Sequence, residues 1–135
     1  MGIRCLIKIL SCMEKFIQFF TPEMLYAISF FIAGHTIGWF AGNSQLVWEW
    51  WQNKPIIACL AFGIPASIMF WYGTKFCFIA TGGELWSVRF IAAVFSYVTF
   101  PLLTWYFLGE SIFTAKTIIC IFLALSILFV QMYFN

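Results

Sequence analysis

Charge is the commodity this sequence has least of. Only 9 % of its 135 residues are Asp, Glu, Lys or Arg, where an ordinary globular domain carries about a quarter. The net charge of +2 is dispersed, and no basic run or stacking groove exists that would track a phosphate backbone, so no nucleic-acid partner is expected. Histidine occurs once, at His35. Five cysteines, Cys5, Cys12, Cys59, Cys77 and Cys120, stand singly with no C-x-x-C pair, and they read as small buried hydrophobes. A single histidine without an attachment motif is weak support for a haem or pigment ligand. No Ser/His/Asp set, paired buried carboxylates, metal-spaced ligands or phosphate loop can be assembled. The expectation is a protein that is not an enzyme and carries no cofactor.

Apolar residues fill the space that charge leaves. They make up 64 % of the chain and gather in four uncharged stretches, 24–48, 55–74, 90–109 and 117–135. A bilayer's hydrocarbon core needs roughly 20 such residues per helix, so each stretch spans or nearly spans it. The intervals between them are too short to fold as a soluble domain. The sequence therefore predicts an all-α, integral membrane four-helix bundle with an N-terminal amphipathic interfacial helix. Its expected divisions are 1–20 for the interfacial helix and 21–135 for a multi-pass domain with spans near 23–42, 55–79, 85–108 and 113–134.

Basic residues set the expected orientation. Arg4, Lys8, Lys15, Lys75 and Arg89 fall on one side of a four-span topology, and Lys54 and Lys116 on the other. The bias places both termini in the cytoplasm. Trp48, Trp50, Trp51, Trp71, Tyr72, Trp86 and Tyr133 lie near span ends, where amphipathic rings favour the interface. The 18 phenylalanines read as lipid-facing bulk.

Within 1–20, Arg4, Lys8, Ser11, Lys15 and Gln18 recur at helical spacing and form one narrow polar stripe. Such a helix lies in the headgroup region with its cations towards anionic lipid. Glu14 and Lys15 interrupt the apolar run and no small-residue cleavage site follows, so the segment is expected to remain in the mature protein. Thr21-Pro22-Glu23 is a helix start: a capping hydroxyl, a proline where its missing N–H costs nothing, and an acid near the positive dipole end. Gly42-Asn43-Ser44, Thr81-Gly82-Gly83 and Gly109-Glu110-Ser111 read as breaks. Pro65 and Pro101 lie inside spans, where each frees a backbone acceptor and predicts a kink or hinge.

Gly34, Gly38 and Gly42 form two overlapping G-x-x-x-G motifs on one face of the first span, a face that lets another helix approach closely. His35 stands beside that stripe, about twelve residues into the span and so near the expected midplane. An ionisable group at that depth is a functional candidate, alongside Thr36 and Trp39. A neutral imidazole bonding across a helix interface is the plain alternative. Lys75, Glu84 and Arg89 cluster around the break between the second and third spans. Lys75 is expected to pair with Glu84 across the turn, and Arg89, if drawn into the bundle, to hold an anionic group.

The passage from Phe100 to Glu110, followed by the apolar run from Thr117 to Val130, resembles the third helix, Gly-Glu turn and fourth helix of the drug/metabolite transporter superfamily. The four-span size is similar to its small multidrug resistance branch. That resemblance implies a transporter assembled as an antiparallel homodimer, with a first-helix Glu, three residues before a Gly, that binds cations and protons. Here the corresponding position is His35, in His35-Thr36-Ile37-Gly38, and a histidine supplies no negative charge. The fourth helix also departs, with bulky or polar residues around Ile119 and Ser126 where the family has packing glycines. The expectation is a small transporter-like protein, a homo-oligomer such as a dimer in the bilayer, with an unidentified small solute or ion bound near His35, Thr36, Trp39 and Arg89. The alternatives are a non-transporting accessory subunit and an oligomeric pore.

Overall fold

The computed structural model describes Glu14 and residues 17–133. Apart from Glu14 and residues 17–20, the expected amphipathic helix over 1–20 lies outside the described residues. All regular secondary structure among them is helical, and four helices are long and apolar enough to cross a membrane. They are α1 (Pro22–Val47), α2 (Pro55–Ala80), α3 (Leu85–Leu108) and α4 (Ala115–Tyr133).

Local chemistry fixes most helix ends. The Thr21 hydroxyl accepts the Met24 N–H at 3.2 Å, with Pro22 at the first helical position. Helix α1 then runs through Gly42-Asn43-Ser44 and stops at Val47. Asn43 bonds back onto its own helix instead of turning the chain, its Nδ2 donating to the Trp39 carbonyl, and the following Gln45 donates through Nε2 to that of Gly42. A short 3₁₀ turn, Glu49–Trp51, leads to Lys54, whose ammonium lies 3.7 Å from the Trp50 ring centroid.

Helix α2 is α-helical over Pro55–Ala58 and Ile64–Ala80, with a π-helical turn at Cys59–Gly63 between them. The wider turn sits immediately before Pro65, whose nitrogen cannot donate and whose ring crowds the preceding turn, so the local spacing opens to accommodate it. Pro101, by contrast, is carried inside an uninterrupted α3. The α2–α3 turn closes with Gly83 N–H on the Phe78 carbonyl and Gly82 N–H on that of Ile79, with both glycines at positive φ. This is a Schellman ending, and it requires the left-handed backbone that glycine takes most easily. Glu84 precedes α3, and its carboxylate accepts from the Ser87 hydroxyl at 2.8 Å. The expected Lys75–Glu84 pair is therefore replaced by a bond within the first turn of α3. Thr114 opens α4 by accepting the Thr117 N–H.

The four helices form a row in the order α2, α1, α3, α4. Helix α1 packs closely on α2 and on α3, α4 packs chiefly on α3, and α2 and α3 scarcely touch each other. The glycine stripe explains the tight α1–α2 seam. A Cβ at Gly34 would meet the Phe70 ring at 3.0 Å, and one at Gly38 would lie 4.0 Å from Ala66 Cβ. In return, a Cβ at Gly73 of α2 would meet the buried Phe31 ring at 2.8 Å. Gly42 has nothing within 4 Å and belongs to no seam. Phe31, Met24, Ala27, Cys77, Val88 and Ile91 form the core at the N-terminal end of α1. Cys77 is buried there as expected, whereas Cys59 and Cys120 are exposed on outward faces.

Candidate functional site

The site begins with side chains that are too small to fill space. Arg89, Ala92, Ala93 and Ser96 recur at i, i+3, i+4 and i+7 along α3 and so share one face. Two alanines and a serine there leave α2 and α3 apart. The result is a cleft of about 670 Å³, floored by Phe31 and His35 of α1 and walled by Phe70 and Thr74 of α2 and this face of α3. A second space of about 270 Å³ continues along α1 past Gly38, Trp39 and Asn43. His35, Phe70 and Ser96 border both spaces, so the two meet at the histidine.

His35 lies halfway along α1, and its Nε2 sits 2.9 Å from the Ala92 carbonyl oxygen of α3. A carbonyl only accepts, so Nε2 carries the proton, and in the neutral ring Nδ1 is left as an acceptor. The Phe70 ring meets the imidazole edge-on, with centroids 4.7 Å apart. No buried side-chain N or O among the described residues lacks a partner. Among the described residues, Nδ1 of His35 and the Ser96 hydroxyl make no hydrogen bond, so neither atom is fully enclosed, and both residues border the cleft. One α3 face thus holds the histidine through Ala92 and, one turn on, offers a free hydroxyl beside it.

The other sequence candidates occupy distinct places. Trp39 borders the smaller space and donates through Nε1 to the buried Thr104 hydroxyl at 3.1 Å, while its ring stacks on Phe107. It ties α1 to α3 at the far end of the site. The Thr36 hydroxyl donates to the Ile32 carbonyl of its own helix at 2.8 Å, and Thr36 borders neither space. Arg89 borders the large cleft, is exposed, and has no ion-pair partner among the described residues. Gly34 and Gly38 face α2, and Gly38 also borders the smaller space. Pro65 borders neither of the two spaces at His35, and Pro101 borders a separate small cavity of about 90 Å³ beside Glu110 and Thr117.

Ser96, Phe70, Thr74 and Asn43 were not singled out from sequence. Their legible trace is the small-residue face Ala92, Ala93 and Ser96, one turn on from Arg89, in an otherwise bulky helix. Among the described residues no group of three or more His, Cys, Asp or Glu is placed to hold a metal ion. What the arrangement offers is an apolar recess bordered by an imidazole, a hydroxyl-bearing serine and an arginine. No protein-family model, curated protein or solved structure matches the chain.

Proposed function

We propose that this chain is a small multi-pass membrane carrier that binds a small solute in the cleft between α2 and α3, beside His35. The observation that carries the reading is the convergence of His35 and Ser96 on an open space at the middle of helices long enough to span a bilayer. A ligand pocket is typically an apolar recess of about 300–1,000 Å³ with a few polar groups fixing orientation, and the 670 Å³ cleft has that character. Polar side chains at membrane depth are costly and are retained chiefly along solute paths. His35, in the place of the resemblance's carboxylate, recognises its solute by hydrogen bonding and not by negative charge.

In this reading the N-terminal segment lies on the membrane surface and both termini face the cytoplasm, following the bias of basic residues. The row of helices leaves the cleft open on the side away from α1, and a second copy, as in a dimer, closes it. Trp39 with Thr104 holds one end of the site firm, and the seam at Gly34 and Gly38 keeps α1 and α2 together as one body. Pro65 and Pro101 lie on the two helices that must separate, α2 and α3, and serve as bending points.

Reconstituted protein of verified orientation, recorded on a solid-supported membrane against a panel of organic ions and metabolites, tests the proposal. A substrate-evoked current that falls at least about tenfold in His35→Ala, a loss of about 1.4 kcal/mol of binding or barrier lowering, is the expected result. Absence of any current across the panel transfers the assignment to a non-transporting accessory subunit.

A further inference from the structure

We infer that the solute of this cleft is an organic anion with an apolar body; the inference rests on the carrier reading above. The charge inventory of the lining decides the sign. Among the described residues, neither space on the two sides of His35 is bordered by an acidic one. The carboxylate nearest in sequence, Glu84, accepts from Ser87 instead, and Glu110 borders a different cavity at the opposite end of α3. Among the described residues Arg89 is the one charged side chain bordering the cleft, and it has no ion pair there. An organic cation entering there meets no acidic lining residue and one arginine of its own sign. An anion meets a planar donor suited to carboxylate or phosphate oxygens.

The neighbouring groups extend the match. Thr74, Ser96 and Tyr97 bring hydroxyls to the same lining, and none of them has a hydrogen-bond partner among the described residues. Phe31, Phe70, Val88 and the two alanines supply apolar walls. Arg89 precedes Ser96 by seven residues on one helix, ~10 Å along its axis, so an anionic end at Arg89 leaves an apolar body lying over Ala92 and Ala93 towards His35. A free organic anion and the headgroup of an anionic lipid share this chemistry.

The experiment uses the full chain in nanodiscs of zwitterionic lipid, with 1-naphthoate and 1-naphthylmethylammonium as probes in equilibrium dialysis. Wild type is compared with Arg89→Gln and Ala93→Trp. Expected is saturable naphthoate binding at least about tenfold tighter than that of the ammonium, lowered to parity by Arg89→Gln and abolished by Ala93→Trp. Displacement of naphthoate by a rising fraction of anionic lipid supports the inference with the headgroup as the anion, and persistence supports it with a free solute. Equal or tighter binding of the ammonium, or naphthoate binding unchanged in Arg89→Gln, overturns it. The two readings fail separately. Anion binding without flux in liposomes removes the carrier and keeps the anion, while His35-dependent flux of cations keeps the carrier and removes the anion.

Discussion

At the scale of single residues, the structure separates polar groups that hold helices together from those left available. Trp39 Nε1 on the Thr104 hydroxyl is a buried bond between α1 and α3. Trp39→Phe and Thr104→Val, singly and together, should give a coupling of about 0.5–1.5 kcal/mol in denaturant titrations of the micellar protein. Additive losses would mean that the bond contributes nothing. Glycines separate in the same way. Gly73→Ala forces a methyl to within 2.8 Å of Phe31, a ring that is 1 % exposed and has nowhere to move. It should cost about 1–3 kcal/mol. Gly42→Ala has open space and should be neutral or gain about 0.5–1 kcal/mol from the lower backbone entropy of the unfolded chain. Equal effects of the two substitutions would refute the assignment of the seam. Thr36 looked equivalent to its neighbour His35 in the sequence, yet its hydroxyl serves the Ile32 carbonyl, a choice set by rotamer and not by residue type.

At the scale of elements, the seam between α1 and α2 is internal to one chain. With Gly38 and Ala66 placed so that their Cβ atoms would lie 4.0 Å apart, Gly38→Cys with Ala66→Cys in a background free of other cysteines should oxidise to an intramolecular disulfide. The product should run as a cross-linked monomer, and a covalent dimer from Gly38→Cys alone would show that this face meets a second copy. Helix starts and stops were largely legible: Thr21-Pro22 caps α1, Gly82 and Gly83 end α2, and Gly109 ends α3 at φ 70° with its N–H on the Trp105 carbonyl. These signals depend on nearest neighbours in sequence, which is why they survive reading one residue at a time. Gly42-Asn43-Ser44 misled because Asn43 satisfies its amide on the Trp39 carbonyl within the helix. Prolines gave position but not consequence. Pro65 is preceded by a π turn and Pro101 by unbroken α-helix, a difference that depends on how each surrounding helix packs.

At the scale of the whole molecule, the order α2, α1, α3, α4 leaves a helix row with much apolar surface facing outward. Of α4 only Ala124 is buried, while Phe122, Leu123 and Phe129 are exposed, as lipid contact permits. The number of long apolar helices could be read from hydropathy, because each carries enough consecutive apolar residues to cross a bilayer, although α1 runs five residues beyond its expected end at 42. Their order could not, since every span is apolar on most faces and no single stripe marks a partner. The cleft shares this difficulty: it arises from what Ala92, Ala93 and Ser96 omit, and sequence advertises bulk and charge better than missing volume. Reporter groups placed in the loop beside Lys54 and in the turn at Gly82-Gly83 should report opposite sides of the membrane, with the termini on the side of the Gly82-Gly83 turn. A shared side for the two loops would contradict four crossings.

The central claim, that a solute occupies the cleft between α2 and α3 beside His35, is tested most directly by measuring substrate-evoked current in proteoliposomes for wild type, His35→Ala and Ala93→Trp. The account predicts a current in wild type that is lost in both variants while both remain folded and inserted, because one removes the recognising ring and the other fills the space. A full current in Ala93→Trp would contradict it, since no solute can then be passing through this cleft.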